Sequence, residues 1–331
     1  MSNYKDIHGT QIEVRSDNPS NPVNGQVWYN TTDNKLRANA VTTSASWSTG
    51  GNLNTPRYFS GGKGSQTSAL CFGGADGPSE NLSVTEQYNG TTWTETTDLN
   101  TGRSGLAASG VDNTSIAAVD GFQAATYYSN VELWNGSNWT ETTDTNTTSV
   151  SGRGGVGVSN TSTLVFGGSI NGAPPTANVE LWNGSSWTET TNLNINRRFP
   201  GGAGTATAAL AFGGNQTPVQ ADTELWNGSS WTELADMNSA RSRSMSFGTA
   251  STAALVAGGE GGPPGSLVEV WNGTSWSETT DMTTARSNTA SGAGSTTAGL
   301  VAGGQSGGSK IATTEEWLGA GANITREFTV S

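Results

Sequence analysis

Thr207-Ala208-Ala209-Leu210-Ala211-Phe212-Gly213-Gly214, followed a short way on by Glu224-Leu225-Trp226-Asn227-Gly228-Ser229-Ser230-Trp231, is the passage on which the fold turns. It joins an apolar run ending in two glycines to a glutamate, an aromatic, an Asn-Gly pair and a second tryptophan. The wording returns along the chain. Gly-Gly recurs at Gly73-Gly74, Gly167-Gly168, Gly258-Gly259 and Gly303-Gly304, while the second unit has Asp120-Gly121 instead. Glu-x-aromatic recurs as Glu86/Tyr88, Glu132/Trp134, Glu180/Trp182, Glu224/Trp226, Glu269/Trp271 and Glu315/Trp317. Before each pair of signals stands an arginine, at 57, 103, 153, 197, 241 and 286, with spacings of 46, 50, 44, 44 and 45 residues. That period belongs to a four-stranded propeller blade.

The parts of the repeat assign the strands. Gly201-Gly202-Ala203-Gly204 and Ser291-Gly292-Ala293-Gly294 are nearly free of side chains, as innermost strands crowding an axis require. Ala208 to Phe212 then reads as a second strand buried on both faces. Asn-Gly predicts a two-residue type I′ hairpin between strands three and four. On that register Trp182 pairs with Ser185, Leu181 with Ser186 and Glu180 with Trp187, which puts the two indoles on one face along a diagonal. Hydrophobic content is only 32%, yet there are twelve Trp. A buried Trp removes roughly 150–250 Å² from water, so such wedges offset the scarcity of Leu and Ile.

This pattern resembles the Kelch repeat family, over residues 47 to 317, and its wording is similar to Kelch-type structural proteins of marine bacteriophages. Gly25-Gln26-Val27-Trp28-Tyr29-Asn30-Thr31-Thr32-Asp33-Asn34-Lys35-Leu36 resembles a short hairpin module at the start of phage tail and virion proteins. The expected fold is all-β, a six-bladed Kelch-like β-propeller with a small N-terminal β-hairpin arm. Residues 1–43 are read as an attachment arm and 44–331 as the propeller. Trp47 precedes Arg57 by ten residues, as Trp187 precedes Arg197 and Trp231 precedes Arg241, so the strand around Trp47 is expected to complete the sixth blade. Ile324 to Val330 is a competing candidate that either joins that blade or docks elsewhere.

With 27 acidic and 15 basic residues the net charge is −12, which disfavours nucleic acid and anionic lipid as partners. No run approaches the ~18 apolar residues of a membrane span, and the first residues lack the apolar run of a signal peptide, so no membrane insertion is expected. His8 is the only histidine and Cys71 the only cysteine, read as packing beside Phe72. One chain therefore builds neither a Ser-His-Asp triad nor a multi-histidine metal centre. Galactose oxidase-like enzymes share the Kelch fold, but their copper chemistry needs histidine ligands, and the sialidase Ser-x-Asp-x-Gly-x-Thr-Trp box is missing. The six Arg and six Glu are read as structural, because a group repeated in every blade serves what every blade needs. No catalytic residue, metal or cofactor is expected.

Function is expected where the repeats differ, in the loops after Gly-Gly that a rigid scaffold displays on one face. Candidate binding residues there are Phe122, Tyr127 and Tyr128 in blade two, Pro174 and Pro175 in blade three, Gln216 in blade four, and Pro263 and Pro264 in blade five. Tyr127 and Tyr128 lead, since exposed aromatics stack on sugars and anchor interfaces. The resemblance implies a non-catalytic virion protein associated with tail or fibre. Its arm would hold other virion proteins and its propeller would meet a host-surface glycan or protein. The alternative is a purely structural capsid or tail decoration.

Overall fold

The computed structural model describes residues 12–20, 22–42, 44–77, 80–124, 126–148, 150–261, 265–288, 291–321 and 323–328. His8, Pro263 and Pro264 lie outside these residues, as do residues 1–11. Among the described residues every regular element is a strand. They divide into two compact units, Trp47–Trp317 and a smaller one formed by Met1–Ser46 with Leu318–Ser331. This division differs from a boundary at residue 43, because the C-terminal segment belongs with the N-terminal strands.

In the larger unit six four-stranded antiparallel sheets follow one another as blades. Their innermost strands, Gly61–Ser65, Ala107–Ser109, Val150–Ser159, Gly201–Gly204, Met245–Ala250 and Ser291–Gly294, touch in sequence, and the last returns to the first. The unit is a six-bladed β-propeller. Blade six combines Ser291–Gly294, Ala298–Ala302 and Thr314–Leu318 with Ser46–Gly50, the strand carrying Trp47. Asn323–Phe328 does not enter that blade. It pairs antiparallel with Lys35–Val41, which forms a hairpin with Val27–Asn30, and Glu13–Arg15 adds a parallel edge. Trp28 is fully buried in this smaller sheet and donates its indole N–H to Asn18.

The ring packs by a repeated aromatic device. Trp182 and Trp187 lie directly opposite with centroids 5.3 Å apart, as do Trp134 with Trp139 and Trp226 with Trp231. The second-strand Phe of one blade meets the fourth-strand Trp of the next, as Phe72 does Trp139 at 4.9 Å and Phe212 does Trp276 at 4.8 Å. Burial of these rings between blades, rather than inside any one blade, makes the ring cooperative.

The register corrects the two-residue hairpin. Trp182 pairs with Trp187, Leu181 with Thr188 and Glu180 with Glu189, so Asn183-Gly184-Ser185-Ser186 is a four-residue loop. The reason is the asparagine side chain, whose Oδ1 accepts the N–H groups of both Ser185 and Ser186 at 2.9 and 3.0 Å. Asn therefore closes the turn through its side chain rather than through a positive φ of its own, and only Gly184 is left-handed, at 94°. The indoles share a face, directly opposed instead of diagonal.

Candidate functional site

Each blade's arginine and glutamate meet in the interior. Arg197 Nη2 lies 2.7 Å from Glu224, Arg241 2.5 Å from Glu269 and Arg286 2.6 Å from Glu315, and Arg57–Glu86 and Arg103–Glu132 are paired likewise, all buried. The glutamate also accepts two backbone N–H groups of the incoming linker, as Glu224 does from Asn194 (2.7 Å) and Ile195 (3.3 Å). Arg197 donates to the Gly213 and Asp222 carbonyls at 2.8 and 2.9 Å, fastening the turn that holds Gly-Gly. All four groups are committed to one another, which leaves no carboxylate of this set facing a ligand. Desolvation lowers the pKa of Arg197, Arg241 and Arg286, with their glutamates opposing the shift.

Arg153 departs from this slot. Val150, fully buried, occupies the place of the arginine, and counting from it turns the spacings 46, 50 and 44 into 46, 47 and 47. Arg153 instead reaches Glu180 (2.9 Å) from three residues further on and also holds Asp120 of the preceding blade at 3.2 Å. The missing first glycine of blade two and the displaced arginine of blade three are thus one arrangement.

Two residues after each arginine slot the chain passes beside the ring axis. Phe59, Gly105, Gly152, Phe199, Arg243 and Asn288 all have positive φ, between 52° and 67°. Their amides bond around the axis: Phe59 N–H to Asn288 O (2.9 Å), Gly105 to Phe59 (2.9 Å), Gly152 to Gly105 (3.0 Å), Phe199 to Gly152 (2.6 Å) and Arg243 to Phe199 (3.3 Å). Left-handed backbone is costly for bulky residues. This run of five hydrogen bonds links the six residues, and three of their side chains, Phe59, Phe199 and Arg243, meet one another. Phe59 and Phe199 stack at 5.5 Å and 21°, and the Arg243 guanidinium lies over both rings, at 5.5 and 5.0 Å. Arg243 also pairs with Glu260 at 2.7 Å.

The predicted residues that are described lie on this same end of the ring, where Ser104 bridges Phe122 and Arg198 bridges Asn215. Phe122, Tyr127 and Tyr128 are not in a loop, however. Ile116–Gln123 and Thr126–Trp134 extend past the bulge at Asp120, pairing Gly121 with Tyr128 and Phe122 with Tyr127, because the bulge absorbs the irregularity that ends the second strand in blades one, four, five and six. Phe122 and Tyr127 stack at 5.9 Å, and the Tyr128 hydroxyl bonds to Gln123 at 3.1 Å. All three rings are half-buried. A Cβ on Gly172 would stand 2.6 Å from the Tyr127 hydroxyl, so the blade-two extension abuts the blade-three loop. Gly172, Pro174, Pro175 and Gln216 line a hollow of about 260 Å³ together with Arg198. The structure brings these candidates together. Gln216 is tied to Asn196 and Gln220.

Sequence reasoning missed Arg198, Arg243, Phe59 and Phe199. Arg198 stands over the Phe199 ring at 5.9 Å, its Nε is buried without a partner, and among the described residues no carboxylate pairs with it. The signal was available: the dipeptide after each arginine reads Tyr-Phe, Ser-Gly, Arg-Phe, Ser-Arg and Ser-Asn in blades one, two, four, five and six, a slot that varies while its neighbours repeat.

No protein-family model and no curated protein matches the sequence. Among solved structures the chain is similar to YjhT, with a TM-score of 0.67 and 12% identity over 80% of this chain and 95% of that one. That likeness shows the fold, a Kelch-like β-propeller.

Proposed function

We infer that this protein is a non-catalytic recognition propeller of a bacteriophage virion, with its ligand face at the end that carries the axial Phe59–Arg243–Phe199 cluster. The observation that carries this reading is the concentration of unlike residues there. Phe122 with Tyr127, the Arg198 hollow and the axial cluster occupy positions that differ from blade to blade, while the buried pairs repeat. Aromatic faces and an arginine without a carboxylate partner suit a glycan bearing acidic groups: rings stack on sugar C–H faces and guanidinium takes a carboxylate. The virion assignment rests on the sequence resemblance to phage Kelch-type and tail proteins. The smaller unit supports an attachment role, since Ile12, Val14, Val23 and Phe328 are exposed, four of the five large exposed apolar side chains among the described residues.

Particles carrying R198A together with Y127S and Y128S test the reading. Adsorption to host cells is expected to fall by a factor of about thirty or more, since interface anchors contribute roughly 2 kcal/mol or more. Melting of the purified protein should stay within a few degrees. Unchanged adsorption with unchanged melting favours the structural alternative, a capsid or tail decoration.

A further inference from the structure

The innermost strands enclose a passage along the ring axis whose walls are almost bare. Each strand reaches a glycine of positive φ, Gly64, Gly110, Gly157, Gly204, Gly248 and Gly294, between 106° and 150°. The residue before it is Ser109, Val156, Ala203, Phe247 or Ala293 in five blades. In blade one it is Lys63. This lysine borders two successive sections of the passage. The wider, about 90 Å³, is also lined by Ser60, Ser244, Ser246 and several glycines, and the narrower, about 20 Å³, by Val111 and Thr249 among others. The one other charged side chain on these walls is Arg153, already held by Asp120 and Glu180.

Among the described residues the Lys63 ammonium has neither an ion pair nor a hydrogen bond, and desolvation alone acts on it, pulling it down to about 8. Lys63 is half-buried on the wall of the passage. At neutral pH it remains mostly protonated, a positive charge for which the fold supplies no counter-charge. Around it the innermost strands bring the Ser60, Ser244 and Ser246 side chains to the same wall, with Gly202 N–H donating to Ser246 Oγ at 3.0 Å. The unpaired ammonium and the Ser60 and Ser244 side chains border a space too small for a sugar ring.

We propose that the axial passage binds a small oxyanion, the size of phosphate or a short carboxylate, against Lys63. This goes beyond the glycan face and does not depend on it.

The chain has four lysines, Lys5, Lys35, Lys63 and Lys310, so ¹³C-dimethylation of the full chain gives a resolvable NMR set. With ionic strength held constant by sodium chloride, added inorganic phosphate or acetate should move the Lys63 signal saturably and raise its titration midpoint. The other three should follow ionic strength alone. In parallel, phosphate should raise the melting temperature of the wild-type protein, and K63M should weaken that response at least about tenfold, as expected when a charged donor is lost. A Lys63 signal indifferent to both anions overturns the proposal, as does an equal phosphate response of K63M and wild type. Should K63M fail to fold, the titration of the unmutated chain decides alone.

Discussion

Asp120 holds a left-handed backbone, φ 57°, in a position that five blades give to glycine, and its carboxylate is buried. Asp tolerates this conformation better than most residues. What keeps it charged is the cross-blade contact to Arg153 and the Thr145 hydroxyl at 2.7 Å, with Arg103 further off and Glu180 opposing. Desolvation outweighs them and pushes the carboxyl up to about 6. A folded-state value above the unfolded one means that the native state binds the extra proton, so this group's contribution to stability falls as pH rises from about 4 to 6. D120N removes that slope. The stability difference between D120N and wild type should therefore move in favour of the variant across this window, by up to about 3 kcal/mol. Denaturant melts at pH 4 and pH 7 measure it, and a pH-independent difference would show that Arg153 neutralises the carboxylate fully.

At the scale of strands and turns, the Gly-Gly motif is explained by the next blade. Gly213 has φ 61°, a Cβ there would lie 2.5 Å from the Arg241 carbonyl oxygen, and Gly214 donates its N–H to that same oxygen at 2.9 Å. The motif is a latch between blades. Gly213→Ala should cost about 2–4 kcal/mol, from left-handed strain plus the clash. Gly307→Ala, also left-handed at 56° but with open space around it, should cost about 1 kcal/mol. Equal losses in urea midpoint would remove the latch argument. Such periodic features were legible because each blade restates them: strand order, the tryptophan wedge and the structural role of the recurring Arg and Glu all follow from one repeat. The hairpin register was not, because Asn-Gly is compatible with either loop length and the side-chain bonds of Asn183 decide between them. Arg153 misled for a related reason. It satisfies the letter of the repeat while Val150 occupies the slot, and only the 50-residue spacing hinted at it. The axial cluster and Lys63 escaped because sequence periodicity directs attention to what recurs, whereas these sites are made by what does not.

At the scale of the whole ring, closure is achieved twice. Near the axis, Phe59 N–H bonds to Asn288 O and Gly304 N–H to Arg57 O, both at 2.9 Å, which joins the last blade to the first as Gly105 to Phe59 and Gly74 to Arg103 join the first to the second. At the rim, Ser46–Gly50 supplies the fourth strand of blade six, where Trp47 packs on Trp317 at 5.1 Å and donates its indole N–H to Thr280 O at 3.0 Å. The inner joints involve many short contacts, but the rim joint rests on one strand contributed from the opposite end of the chain. Two truncations separate these roles. A chain of residues 46–318 retains the larger compact unit with Trp47 and should melt in one cooperative transition. A chain of residues 52–318 keeps every axial bond but loses Trp47 and leaves the outer edge of Thr314–Leu318 unpaired. Loss of a large aromatic contact costs about 3–5 kcal/mol, and an open edge invites pairing with another chain. The shorter protein should therefore melt earlier and associate with rising concentration, which scanning calorimetry and sedimentation velocity would detect together. Identical melting of the two truncations would mean that the axial joints alone hold the ring and that the N-terminal strand is dispensable to it.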